Sequence, residues 1–226
     1  MKIFQFKSMS LANMSLANMS LVILLLCSNH IATAQDSDSL LKELQSGWAI
    51  ANYQLQDKEQ INAFEALIAK GEASLNSNPN DAKIHVWTGI LQSTLAGAKG
   101  GLGALSLAKA AKSHLQTAIE LDGSVLSGSA YTSLGVLYNS VPGWPIGFGD
   151  KKKSLTNLKR ALEINPDGLD SNYFYADFLV SRKKYAEAKT YFEKALRAAP
   201  RPGRDIADAG RRKEIELAIA TIQKRL

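Results

Sequence analysis

The sequence predicts an all-α fold in which successive pairs of helices stack into a solenoid. From Asp38 onward the apolar residues recur at intervals of three and four positions, which is the period of an amphipathic helix. No stretch alternates between apolar and polar residues over the length of a strand. Breaks rich in glycine, proline and asparagine divide this region into about nine helices, which indicates four pairs followed by one further helix.

A short segment that recurs along the chain supports this repeat architecture. Residues 158–166, LKRALEINP, resemble residues 192–200, FEKALRAAP, and more weakly residues 115–122, LQTAIELD. The closing prolines of the first two segments, Pro166 and Pro200, lie 34 residues apart. A fixed period of this length is typical of stacked helix pairs, because one pair cannot bury its apolar face alone.

The two pairs nearest the N terminus carry the pattern only weakly. The first pair ends near Pro79, and the second covers residues 82–123. In the second pair, Trp87 and Gly89 lie on the first helix, and small and apolar residues recur on the second helix at Ala111, Leu115 and Ala118.

The third and fourth pairs carry a more specific set of residue types, with small residues where two helices must approach closely and a proline where the second helix ends. The third pair contains Tyr131, Leu134, Gly135, Tyr138, Leu158, Ala161 and Pro166. The fourth pair contains Ala176, Leu179, Ala188, Phe192, Ala195 and Pro200. This pattern resembles the tetratricopeptide repeat family. The resemblance implies a right-handed α-solenoid of about four such helix pairs plus a C-terminal capping helix.

One residue departs from the family pattern. Asn172 occupies the place of the first aromatic residue in the fourth pair, beside Tyr173 and Tyr175. We therefore expect the packing at that position to be shifted.

The C-terminal segment predicts a helix that covers the end of the stack. Ile215, Ile219 and Ile222 recur at helical spacing among many charged residues. A repeat stack needs a terminal helix with a polar outer face. We therefore place the repeat domain at residues 35–203 and the capping helix at residues 204–226.

The first 34 residues differ from the rest and predict a secretory signal peptide. Lys2 and Lys7 precede a short apolar run at residues 21–26, and residues 32–34, Ala-Thr-Ala, supply the small residues of a cleavage site. The run is shorter than the roughly 20 apolar residues of a membrane-spanning helix, which disfavours a retained anchor. We expect the mature chain to be exported to the periplasm.

Two features inside this leader leave alternatives open. A repeated MSLAN segment makes Met14 and Met19 alternative start residues to Met1. Cys27 would carry the lipid of a lipoprotein, but Leu26 precedes it rather than a small residue, which disfavours a lipid anchor. Cleavage at residue 34 would leave a mature chain without cysteine, and therefore without a disulfide or a thiolate site.

Composition argues against nucleic-acid binding and against catalysis. The chain has 27 Lys and Arg and 21 Asp and Glu; removing Lys2 and Lys7 leaves 25 basic residues and a net charge of +4, too small to favour nucleic acid. His85 and His114 lie on different predicted helices, and we expect both to be packing or surface residues. No metal-ligand cluster, nucleophile elbow or zinc-protease motif occurs. The sequence therefore predicts a binding protein without metal or cofactor rather than an enzyme.

Two segments interrupt the regular pairs. Residues 97–103, GAKGGLG, predict a flexible insertion that lengthens a turn, with anion binding at the following helix start as the alternative. Residues 140–150 add a loop that carries Trp144 and Phe148 together with two prolines, Pro142 and Pro145, which limit its freedom. These aromatic side chains either form a preformed lid for a ligand or fill a gap between neighbouring helices.

The three lysines at residues 151–153 follow this loop. Asp150 is the expected N-cap of their helix, and a charge run of this kind is typical of a solvated helix face. Binding to a membrane surface or to an acidic partner is the alternative.

The resemblance also implies where a partner would bind, because the first helix of each tetratricopeptide pair lines the concave surface. The candidate partner-binding residues on these helices are Thr132, Val136, Asn139, Asp170, Tyr173 and Asp177, and Trp144 is added from the loop at residues 140–150. They predict a periplasmic scaffold for a protein or peptide. The alternative is a small-molecule carrier or transporter accessory protein whose pocket is closed by the Trp144 loop, since the layout is also similar to the T component of tripartite periplasmic transporters.

Overall fold

The all-α prediction is confirmed for residues 37–226, the part of the chain that the computed structural model describes. Nine helices and no strand occupy these residues. They are α1 (37–54), α2 (Asp57–Ser77), α3 (Ala82–Lys99), α4 (Gly101–Asp122), α5 (Val125–Ser140), α6 (Lys151–Ile164), α7 (Leu169–Ser181), α8 (Tyr185–Leu196) and α9 (Asp205–Gln223). The predicted signal peptide, the alternative start residues and Cys27 lie outside the described residues.

The helices pack as the four predicted pairs, with a close contact at each of the first three crossings. In each, a glycine of the first helix lies against a leucine of the second, so that an added Cβ would fall 2.7–2.8 Å from the leucine side chain. The three contacts are Gly47 with Leu67, Gly89 with Leu115, and Gly135 with Leu158. The first pair is therefore built like the others, although its sequence matches the pattern only weakly.

Asn172 replaces the family's aromatic residue with a hydrogen-bonding one. Its side chain is fully buried, and its Nδ2 donates to the carbonyl oxygens of Pro166 and Gly168 at 2.8 Å each. The amide thus fixes the turn between α6 and α7, where an aromatic ring would only fill space.

The last helix connects the two ends of the stack. Ile215 and Ile222 of α9 pack on the fourth pair, whereas Ala207, near the start of α9, belongs to the apolar cluster formed by α1, α2 and α3. A Cβ on Gly210 would lie 2.5 Å from the ring of Tyr53 in α1. The solenoid therefore curves so strongly that α9 bridges its last and first pairs.

The glycine-rich stretch at residues 97–103 is not the flexible insertion that the sequence predicts, so that interpretation is wrong. α3 continues to Lys99 and α4 begins at Gly101, which leaves Gly100 as the single residue between them. Gly100 and Gly101 have φ values of 60° and 62°, which glycine adopts without a steric penalty. These two residues let the chain reverse direction in one step.

The start of α5 contains an unusual run of left-handed residues. Leu126, Ser127 and Gly128 have φ values of 50°, 55° and 74°. Gly128 tolerates this conformation, but a residue with a Cβ pays about 1–2 kcal/mol for it. Ser127 is exposed, and so it carries this cost without a compensating burial of its side chain.

We expect the substitution Ser127→Gly to raise the free energy of unfolding by about 1 kcal/mol, since it removes the Cβ clash at positive φ. Urea unfolding followed by circular dichroism measures the change. Ser113→Gly, at an exposed position within α4, is the matched control and should instead lower stability by about 0.5–1 kcal/mol. A loss of stability in both variants would contradict the left-handed turn.

Candidate functional site

A cavity of about 340 Å³ lies on the inner side of the curved stack. Its lining residues come from α1, α3, α5 and α7, which are the first helices of the four pairs, and from α9 with the turn before it. None of the lining residues lies on a second helix. The concave surface that the family resemblance implies is therefore present, and α9 narrows it to a cavity.

Aromatic residues form one wall. Trp48 and Trp87 pack edge to face with ring centroids 6.0 Å apart, and Trp48 Nε1 donates a hydrogen bond to Thr94 Oγ1 at 3.0 Å. Both tryptophans line the cavity and are otherwise buried. Their orientation is thus fixed before any ligand arrives.

A network of ion pairs forms a second part of the lining, with Asp170 of α7 at its centre. Arg201 Nη1 donates to Asp170 Oδ2 at 2.6 Å, and Arg211 Nε donates to Asp170 Oδ1 at 2.9 Å. Each arginine also binds a second carboxylate, Asp208 for Arg201 and Glu214 for Arg211. Burial would raise the pKa of the Asp170 carboxyl, but the two guanidinium groups outweigh it and hold the pKa below its usual value.

Arg211 is held by aromatic rings as well as by carboxylates. Its guanidinium lies 4.3 Å from the ring centroid of Tyr173 and 4.5 Å from that of Phe174. Such cation–π contacts favour a desolvated arginine. Burial raises the pKa of Tyr173 to about 12, against the opposing charge of Arg211, so the phenol stays neutral.

Four of the seven candidate residues line this cavity, namely Thr132, Val136, Asp170 and Tyr173. Asn139 and Asp177 are not among the lining residues. Asn139 Oδ1 instead accepts a hydrogen bond from Lys151 Nζ at 2.8 Å, and Asp177 is exposed on α7. The binding role of all of them stays a prediction.

The Trp144 loop does not close this cavity. Phe148 packs edge to face on Tyr138, with centroids 5.8 Å apart, and Lys112 of α4 lies over it, so the loop faces a helix that contributes nothing to the cavity. Trp144 is 90% exposed and Ile146 is 72% exposed. Phe148 therefore fills a gap between helices, as one of the two interpretations predicts. The prediction that the Trp144 loop closes the pocket is wrong for this cavity. Asp150 caps α6 as predicted, since its carboxylate accepts from the amides of Lys152 and Lys153.

The two histidines form a pair that the sequence did not predict. His85 Nδ1 and His114 Nδ1 are 2.9 Å apart, and His85 Nε2 is 2.9 Å from the carbonyl oxygen of Pro79. The carbonyl can only accept, so His85 Nε2 carries a hydrogen. The Nδ1–Nδ1 bond then needs a proton on one nitrogen only, and it is lost when both rings are fully protonated.

We expect the free energy of unfolding to fall as the pH drops below about 6.5, the ordinary pKa of histidine. Burial, and then the charge of His85, lower the pKa of His114 in the folded chain. The unfolded chain therefore binds this proton more readily, so acidification favours unfolding. Urea midpoints at pH 7, 6 and 5 should decline less in His114→Gln than in the wild type. Equal slopes would contradict the pairing.

Other kinds of site are not evident in the part of the chain described. Within residues 37–226 no group of three or more His, Cys, Asp or Glu side chains is arranged to hold a metal ion. Of the helices described, none combines the length and apolar character needed to cross a membrane.

Comparison with known proteins identifies one repeat directly. A tetratricopeptide repeat family model matches residues 169–202, which comprise α7, α8 and the turn that follows. Two crystal structures of MamA are similar to the chain, both at 19% identity. One has a TM-score of 0.46 over 74% of this chain and 91% of that chain, and the other 0.44 over 80% and 91%. At this level of similarity they say nothing about function. No curated protein sequence is significantly similar to the chain.

Proposed function

We propose that this tetratricopeptide repeat protein is a non-enzymatic scaffold that binds a short segment of a protein or peptide partner in its inner cavity. The observation that carries the proposal is the lining of the cavity by every first helix in turn. The lining combines tryptophan, tyrosine and arginine, the residue types that contribute most to binding energy at protein interfaces. Because α9 narrows the concave surface, a few side chains of the partner fit there rather than a long helix.

A small-molecule carrier is the second candidate, and one observation favours it. The cavity volume of about 340 Å³ lies at the lower end of the range of small-molecule sites. In a carrier of this kind, α9 and the first helices would form the walls of the ligand pocket, and the Trp144 loop would not be part of it.

We also propose that the protein acts after export, in the periplasm. The support is the sequence of residues 1–34, with its basic start, short apolar run and small residues before the expected cleavage point. N-terminal sequencing of the chain from an osmotic-shock fraction should begin at Gln35. Recovery with the cytoplasmic fraction, uncleaved, would contradict export.

Site-specific photo-crosslinking tests the cavity as the binding site. A photoreactive residue at Ser133, which lines the cavity on α5, should form a covalent adduct with the partner. The same residue at Ser113, exposed on α4 and outside the cavity, is the matched control and should not. A third position, Trp144, tests the exposed loop. Crosslinks at Ser113 or Trp144 without any at Ser133 would place the partner elsewhere and overturn the proposal.

Ser133→Leu gives an independent measurement with the purified partner. The larger side chain occupies cavity volume, so we expect affinity to fall at least tenfold while the unfolding transition shifts little. Ser113→Leu should leave affinity unchanged. Equal affinity of Ser133→Leu and the wild type would contradict binding inside the cavity.

A further inference from the structure

Arg204 is the one cavity arginine that lacks a carboxylate partner among the described residues. Its guanidinium carbon lies 4.9 Å from the ring centroid of Trp87, on the aromatic wall. Arg201 and Arg211 each bind two carboxylates, but no ion pair to Arg204 is formed within residues 37–226. Its Nε is buried and has no hydrogen-bond partner in the same region. A desolvated donor without a partner is costly unless a ligand supplies an acceptor.

The pKa shifts of the three cavity arginines also distinguish Arg204 from Arg201 and Arg211. Burial would lower the pKa of Arg201 and of Arg211, but the carboxylates, with Asp170 foremost, raise both above the ordinary value. Burial, followed by the like charge of Arg201, lowers the pKa of Arg204. Asp170 and Asp208 oppose this shift, but neither forms an ion pair with Arg204 within residues 37–226. The protein thus pairs two of these arginines directly with carboxylates and leaves the third without a carboxylate in contact.

We propose that the cavity binds the carboxylate of a ligand through Arg204, with the apolar body of the ligand against Trp48 and Trp87. A planar guanidinium that is already stacked on an indole presents its edge to an acceptor, and two parallel hydrogen bonds to a carboxylate are the geometry that arginine favours. This inference rests on the proposed use of the cavity as the binding site.

The other charged residues of the cavity restrict the charge of the ligand. Asp170 and Glu214 also line it, and a ligand with two negative charges would meet their repulsion. A single carboxylate brings less negative charge and can contact Arg204, which has no carboxylate in contact among the described residues. Hydroxyl groups of Ser129 and Ser133 on α5 line the same space and can bind further polar atoms of the ligand.

Tryptophan fluorescence can report binding without a labelled ligand. The chain has three tryptophans, and Trp144→Phe leaves Trp48 and Trp87, both of which line the cavity. In this background we would titrate 4-phenylbutyrate and its uncharged amide, 4-phenylbutyramide. To distinguish a small acid from the end of a peptide, we would also titrate a short apolar peptide as the free C-terminal acid and as the amide.

We expect at least one acid to bind at least tenfold more tightly than its own amide. Arg204→Gln should remove this preference and leave the affinity for the amide unchanged, whereas Arg204→Lys should restore part of it. Arg197→Gln, an exposed arginine outside the cavity, is the control for the change in net charge and should behave like the parent. Thermal unfolding of each variant checks that the fold is intact.

Three results would overturn the inference: equal affinity for acid and amide, an acid preference that survives Arg204→Gln, and no binding of any acid at millimolar concentration. Preference for the phenylbutyrate pair identifies a small organic acid as the source of the carboxylate, and preference for the peptide pair identifies a C terminus. The scaffold proposal is judged separately, because the crosslinking comparison of Ser133 with Ser113 does not depend on Arg204.

Discussion

The substitution Asp170→Ala is expected to lower the free energy of unfolding by about 3 kcal/mol, because it leaves two arginines at the cavity with one carboxylate each. Arg211 bears most of the effect, since its side chain is only 10% exposed and cannot turn to solvent. Asp170 also lies in the first turn of α7, where a negative charge stabilises the helix N terminus. Urea unfolding at pH 7 measures the loss.

Asp167→Ala is the matched control, only three residues earlier. The Asp167 side chain is 87% exposed and pairs with Lys194 at the surface, so its removal should change stability by less than about 0.5 kcal/mol. The tryptophan emission should also shift in Asp170→Ala under native conditions, because α9 loses an anchor and Arg204 stacks on Trp87. Similar losses in the two variants would mean that the network does not hold α9 in place.

Most of the fold could be predicted from the sequence because successive helix pairs pack in the same way and therefore need the same residue types. A small residue and a large one meet where two helices cross, and this requirement recurs at Gly89 and Gly135 in recognisable surroundings. Gly47 makes the same contact with Leu67, but its neighbours do not resemble the family pattern, so the sequence alone did not single it out. The reversal at Gly100 was missed because glycines permit both a long flexible loop and a sharp turn.

The cavity could be predicted only in part. Thr132, Val136, Asp170 and Tyr173 follow from the rule that first helices line the inner surface, and the structure places them there. Arg211 was missed, since charged residues of a terminal helix predict a solvated outer face. Arg201 and Arg204 were missed because they lie in the turn before that helix. Whether that helix folds back onto the first pair depends on the curvature that the four pairs add up to. The local sequence period does not reveal this curvature. Phe148 and Trp144 are aromatic residues of the same loop, but only Phe148 packs on Tyr138, and Trp144 stays exposed.

The substitution Gly210→Leu is expected to open the solenoid, because α9 and α1 meet at this glycine. An added Cβ would lie 2.5 Å from Cδ1 and Cε1 of Tyr53, and a flat ring that is itself partly buried cannot withdraw without moving its helix. Overpacking of this kind costs about 1–3 kcal/mol. The stack can avoid that cost by releasing the start of α9, which would widen the cavity into an open groove.

Two measurements separate this opening from a general loss of stability. Small-angle X-ray scattering should show a larger radius of gyration in Gly210→Leu, and trypsin should cut faster after Arg204 and Arg211. Gly97→Leu is the control, because nothing lies within 4 Å of a Cβ added there. If α9 is released, the carboxylate preference assigned to Arg204 should disappear together with the narrowed cavity. A variant that keeps the wild-type radius and trypsin resistance would show that α1 and α9 do not close the stack.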